Sequence, residues 1–205
     1  MNYNLECEKI LKSIGGSKPK LLLHACCAPC SSSVLLKIAR YFDITILFYN
    51  PNITDYDEYL KRKKELEGFL SMANYNIKLL DCNYDVEKFI DMAYPLRDLK
   101  EGSVRCYKCY LMRLTETAKM AKKYNFDYFT TTLSVSPYKN SKWLNEIGKS
   151  LEDEYQVKYL YSDFKKKDGY KKSIELSLKY HLYRQDYCGC VYSKIESDKK
   201  KLKTC

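Results

Sequence analysis

The chain predicts an α/β fold, a layered parallel sheet flanked by helices with a metal-binding cysteine cluster at the carboxyl edge of its strands. Short apolar, β-branched runs alternate with helical patterns of roughly ten to twenty residues, the signature of right-handed βαβ crossovers. No repeat, low-complexity tract or Gly/Pro/Ser linker divides the chain, and 205 residues fit one domain. The reading is a single catalytic domain over 1–205, with an N-terminal helical extension at 1–19 and a basic C-terminal tail at 194–205.

The elements follow in order. Lys20 to Ala25 (KLLLHA) suits a buried parallel strand. It feeds a cysteine loop, and Ser31, Ser32 or Ser33 caps a helix from Val34 to Tyr41. Ile44 to Tyr49 (ITILFY) is the second strand, ended by Asn50-Pro51-Asn52. A helix from about Asp55 to Ala73, a strand at Ile77 to Leu80 and helices at Asp85 to Ala93 and Cys106 to Tyr124 come next. Tyr128 to Leu133 (YFTTTL) and Val157 to Tyr161 (VKYLY) read as strands, and Lys142 to Tyr155 and Lys171 to Tyr180 as helices. In an open sheet of this kind ligands sit beyond the carboxyl ends of the strands. HACCAPC, Asn50-Pro51-Asn52 and Ser134-Val135-Ser136-Pro137 therefore line one crevice.

Ten cysteines in so long a chain do not describe a disulfide scaffold, which belongs to short chains lacking a core. The first residues, MNYNLECEKILKSIGG, hold no apolar h-region, and no stretch of about 18 apolar residues occurs anywhere. A cytoplasmic protein with reduced or metal-bound thiols and no membrane partner is expected. The net charge of +10 is clumped at 61–64, 165–167, 171–172 and 199–201, which suits a polyanionic partner. Solvated helix faces are the competing reading of each run.

The cysteines themselves fall into three groups: Cys26, Cys27 and Cys30; Cys106 and Cys109; Cys188 and Cys190. Cys27-x-x-Cys30 at a strand-to-helix junction also describes thioredoxin-like redox sites, but the adjacent Cys26 is an addition to that pattern. Cys106 and Cys109, at i and i+3, share one helical face beside Arg105. Two thiolates from the first loop and two from this helix make the four that a [4Fe–4S] cube or a tetrahedral zinc requires. The Cys188-Gly189-Cys190 pair is suited to sharing a second metal or to closing a strained, reducible disulfide. Cys7, Cys82 and Cys205 read as buried small hydrophobes.

Of the remaining candidates, His24 lies among apolar neighbours and reads as a hydrogen-bonded core histidine. Asp55 to Tyr59 with Arg62 forms an acid/base or substrate clamp, or simply the acidic first turn that a helix dipole favours. Tyr138 and Trp143 either stack on a base at the crevice rim or pack internally. Lys165, Lys166 and Lys167 follow a strand end on the ligand edge and are the candidate phosphate contacts.

HACCAPC, NPNITDYDEYLKR, RCYKCYLMRL, TTLSVSPYKN and YRQDYCGCVYS, in that order, resemble the cobalamin-independent epoxyqueuosine reductase family over most of the chain. The resemblance implies an adenine-nucleotide α-hydrolase-like sheet. The related tRNA-thiolating enzymes carry a glycine-rich phosphate loop where this chain has HACCAPCSSS, so ATP use is not expected. It implies a two-electron removal of the epoxide oxygen of epoxyqueuosine at the wobble position of tRNA, the last step of queuosine biosynthesis. By likeness, Cys26, Cys27, Cys106 and Cys109 hold a [4Fe–4S] cluster, and Cys188 and Cys190 form a redox-active pair or hold an additional mononuclear iron, with Cys30 undecided between the centres. Asp55 and Arg184 join the catalytic set, Arg62 and Tyr138 the tRNA contacts, and an unidentified low-potential donor supplies electrons. The alternatives are an iron–sulfur-dependent tRNA sulfur transferase on the same fold and a zinc-containing nucleic-acid-binding module.

Overall fold

The computed structural model describes residues 1–202. Its strands are β1 (Lys20–His24), β2 (Asp43–Leu47), β3 (Lys78–Leu80), β4 (Tyr128–Thr131) and β5 (Lys158–Tyr159). Its helices are α1 (Tyr3–Ile14), α2 (Ala28–Ile38), α3 (Tyr56–Met72), α4 (Val86–Ala93), α5 (Val104–Lys123), α6 (Ser141–Tyr155), α7 (Gly169–Lys179) and α8 (Val191–Leu202). Two 3₁₀ turns, Tyr94–Leu96 and Thr132–Val135, complete them. Every strand pair is parallel and the sheet order is β3-β2-β1-β4-β5. The chain winds outward from β1 to β3, then returns to the other side of β1 through β4. This reversal between β1 and β4 opens a crevice at their carboxyl ends.

The central strand β1 shows why both faces are covered. Leu21 and Leu23 point into a core built with Cys7, Leu11, Val34, Ile38, Leu66 and Phe69 from α1, α2 and α3. Leu22 points the other way, onto Tyr110, Leu114 and Ala118 of α5 and Leu144, Ile147 and Leu151 of α6. Each such leucine, removed from water, contributes about 2 kcal/mol. Gly148 lets α6 approach the sheet, since a Cβ there would stand 2.3 Å from the Tyr159 ring.

Several boundaries differ from the expected ones for local reasons. α2 starts at Ala28 rather than Val34, because Pro29 fits the first turn, where its missing N–H is not needed. The serines lie inside the helix, Ser31 and Ser32 donating back to Cys27 O and Pro29 O at 2.8 Å each. Cys27 is thus the N-cap and Cys30 sits in the first turn. β4 stops at Thr131, whose hydroxyl accepts from Leu133 N at 3.1 Å and turns the chain into 3₁₀ geometry. The segment 1–19 is not an appendage: α1 buries Cys7, Leu11 and Ile14 in the main core. The expected basic tail is helical over Val191–Leu202. Cys205 lies outside the described residues.

Candidate active site

The loop Cys26-Cys27 leaves β1 at the sheet's point of reversal and is fixed from both sides. Ala25 N donates to Leu47 O at 3.0 Å, and Cys26 N to the Thr132 hydroxyl of the neighbouring 3₁₀ turn at 3.3 Å. The start of α2 folds Cys30 back, so the sulfurs of Cys26, Cys27 and Cys30 all lie within 4.8 Å of one another. Cys26 Sγ is 3.7 Å from Cys27 Sγ and 3.5 Å from Thr132 Oγ1. Hydrogen bonds from the Cys27 and Cys30 thiols hold the Cys26 thiol well below its ordinary pKa, while Cys27 is pushed up to about 12, chiefly by its bond to Cys26.

Cys106 and Cys109 open α5 on one face, as expected, and line a small void with Cys188, Cys190, Asn52 and Phe89. Burial pushes Cys109 up to about 12 and raises Cys106 and Cys190. Cys188 and Cys190 are both free thiols rather than a disulfide. They have different partners: Lys139 Nζ donates to Cys188 Sγ at 2.8 Å, whereas Ser193 N donates to Cys190 Sγ at 3.4 Å. Of the expected cluster set, Cys26 and Cys27 lie within 4.8 Å of each other together with Cys30, whereas Cys106 and Cys109 line the adjoining void and are not part of that grouping among the described residues.

Arg113 lies one helical turn beyond Cys109 and lines the crevice with Cys26, Cys27 and Cys30. Its side chain is 1% exposed, and it donates to His24 Nε2 at 3.2 Å and to Asn50 Oδ1 at 2.5 Å. Nε2 also stands 3.1 Å from the Tyr49 carbonyl oxygen, and Nδ1 2.8 Å from Thr131 Oγ1, so both ring nitrogens have polar partners. Burial, then the Arg113 charge, lower the His24 pKa to about 3, which keeps it a neutral, hydrogen-bonded core histidine as its neighbours suggested. Burial works against the Arg113 cation, and Cys109, Cys26 and Cys188 are the nearby sulfurs that would favour it once deprotonated. A buried guanidinium with no carboxylate bond needs such anionic compensation.

The crevice encloses about 480 Å³, in the range of small-molecule sites, and Cys26, Cys27, Cys30, Arg113, Lys139 and Cys188 face it. Lys139, 8% exposed, also pairs with Glu101 at 3.3 Å. Arg113 and Lys139 were not singled out in the sequence. The i+4 spacing from Cys109 was a usable signal for the first; nothing local marks the second.

The other candidates divide between the crevice and structural positions; Arg62, Tyr138 and Arg184 line the crevice. Asp55, expected in catalysis, is the N-cap of α3, accepting from Asp57 N and Glu58 N at 3.0 and 3.2 Å. Arg62, expected at tRNA, is instead buried and holds the cysteine turn: it pairs with Glu58 at 2.7 Å and donates to Cys188 O at 3.2 Å and Tyr187 O at 3.5 Å. Trp143 packs edge-on against Tyr107, centroids 5.5 Å apart. Arg105 donates to the carbonyls of Leu96, Arg97 and Leu99, tying down the preceding turn. Tyr138, 77% exposed, and Arg184 stand at the crevice. Lys165 and Lys167 pair with Asp163 and Glu8, both at 2.8 Å. No helix among the described residues is long and apolar enough to cross a membrane.

A parallel sheet wound outward in both directions from β1, with a switch-point crevice lined by clustered cysteines and a buried arginine, defines an α/β protein with a cysteine-lined site. A family model described as epoxyqueuosine reductase QueH matches residues 21–196. The chain is 41% identical over 207 residues to the epoxyqueuosine reductase QueH of Staphylococcus epidermidis, covering 95% of this chain and 87% of that protein. It is 36% identical over 181 residues to that of Thermotoga maritima, covering 88% and 93%. The chain belongs to the epoxyqueuosine reductase QueH family and is an oxidoreductase.

Proposed function

We propose that this protein reduces epoxyqueuosine to queuosine in tRNA, using a [4Fe–4S] cluster held by Cys26, Cys27, Cys106 and Cys109. The observation that carries this is the buried Arg113, bonded to no carboxylate and set among cysteines from both groups. That donor set fits an anionic thiolate-ligated cluster, since thiolates there balance a charge the fold has already buried. Once bound, such a cluster supplies electrons singly at low potential.

The remaining work falls to the chain's own residues. Cys188 and Cys190 act as the second redox centre, and their free-thiol state is the reduced form of such a pair. Oxidation of the dithiol to a disulfide releases two electrons and two protons. Conversion of an epoxide to an alkene and water consumes the same two electrons and two protons. An external low-potential donor then restores the thiols. Lys139 orients Cys188 at the crevice wall, Arg62 fixes the carbonyls of its turn, and Tyr138 and Arg184 receive the base and its sugar at the mouth. Anaerobic incubation of the reconstituted protein with epoxyqueuosine-containing tRNA and a low-potential reductant, followed by nucleoside analysis, tests the reading. Queuosine formation without nucleotide is expected; unchanged epoxyqueuosine sinks it.

A further inference from the structure

The helix α8 has the sequence VYSKIESDKKKL. Ser193, Glu196, Ser197 and Lys200 recur at helical spacing on one face, and all four line the crevice. This helix is therefore a wall of the site. Its other faces carry Lys194, Lys199 and Lys201, against Asp198 and the crevice-facing Glu196.

The crevice-lining carboxylates Glu101, Asp186 and Glu196 are paired within the protein. Glu196 accepts from Glu101 N at 2.9 Å and lies 3.7 Å from Arg105. Glu101 pairs with Lys139 at 3.3 Å, and Asp186 pairs with Lys201. Lys194 and Lys199 are exposed, and Arg184 stands at the same crevice, donating to Ser173 O and Ser177 Oγ at 3.2 and 3.0 Å. By contrast, Lys165 and Lys167 are paired with Asp163 and Glu8, and their segment is not part of the crevice wall. Helix-dipole preference accounts for lysines in a last turn, but not for Lys194 in the first or for the placement of the helix on the crevice.

We infer that α8 is the phosphate grip for the RNA strand flanking the modified nucleotide, an assignment that rests on the function proposed above. A base that enters the crevice brings its own flanking phosphates to the rim. The charge they meet there is that of α8, where Lys200 lines the crevice and the exposed Lys194 and Lys199 flank that face; its 12 residues span about 18 Å, enough for several phosphates. A single-stranded loop is the form whose bases can be splayed out in this way.

The test is fluorescence anisotropy of a labelled anticodon stem–loop RNA against the reconstituted protein over a series of salt concentrations. In one variant Lys194, Lys199 and Lys200 become Gln; in a second they become Arg; in a third Lys165, Lys166 and Lys167 become Gln. The first should lower the log–log salt slope by about 0.7 for each phosphate that the protein no longer neutralises, up to about 2, and weaken binding about tenfold or more. The arginine variant should keep the slope, which separates removal of charge from disruption of the helix, and the third variant should match the unsubstituted protein. An unchanged slope in the first variant, or a flattened one in the third alone, overturns the inference. Failure of the underlying function looks different: the unsubstituted protein would bind the RNA yet leave its epoxyqueuosine unconverted in nucleoside analysis.

Discussion

Replacing Arg113 by Met examines the centre of the site directly. Arg113 donates to Asn50 Oδ1 at 2.5 Å and to His24 Nε2 at 3.2 Å, and its side chain is only 1% exposed. Methionine fills much of the volume but donates nothing, so it strips a buried amide oxygen of its bond and removes the cation that favours a deprotonated Cys26. Breaking buried charged interactions of this kind costs about 3 kcal/mol. For a domain of this size that lowers Tm by roughly 6–12 °C. Scanning calorimetry under anaerobic, reducing conditions measures the shift, and iron and sulfide determination after reconstitution measures cofactor uptake. Arg113→Met should melt in the stated range below the unsubstituted protein and take up much less iron. Arg113→Lys, which keeps charge but not the fork that reaches both partners, should recover iron uptake and only part of the stability. A methionine variant that melts within about 2 °C of the unsubstituted protein and takes up full iron would refute the role given to this cation.

Cys26→Ser and Cys109→Ser should abolish the visible absorbance of the reconstituted protein, whereas Cys188→Ser should keep most of it and lose turnover; the reverse pattern in absorption and nucleoside assays would exchange the two roles. Gly189 has φ +117, and a Cβ there would stand 2.9 Å from Ile53 Cγ1 and 3.3 Å from an Arg62 nitrogen, so Gly189→Ala should destabilise by about 1–3 kcal/mol and displace Cys188. Chemical denaturation and the alkylation rate of Cys188 measure the two effects. Burial raises the Cys7 thiol from 9.0 to about 11. A raised folded-state value means that its contribution, at most roughly 3 kcal/mol, is complete below pH 9 and is lost as pH rises towards 11. Urea unfolding across that window should therefore give a flatter stability curve for Cys7→Ala, and parallel curves would contradict the assignment.

The sequence by itself determined the layers. Alternation of apolar runs with helical periods is a local property of each segment, and it located all five strands and placed the cysteine loop at a strand's carboxyl end. Spacing within one helical turn likewise put Cys106 and Cys109 on a common face. What it could not determine was which side chains meet across the chain. Lys139 reaches Cys188 over 49 positions, Arg62 reaches the Cys188 carbonyl over 126, and Arg113 reaches His24 over 89. Arg62 was legible as a charged residue beside an acidic turn, but its neutralisation within that helix and its hold on a distant cysteine turn are tertiary facts. The grouping of Cys30 with Cys26 and Cys27 was legible in the sequence, but that Cys30 lies inside the first turn of α2, with the three sulfurs within 4.8 Å of one another, was not. Only the tertiary structure decided these points, because a buried charge takes its partners from whatever the packed layers bring within about 3 Å, and that choice leaves no periodic trace in the order of the residues.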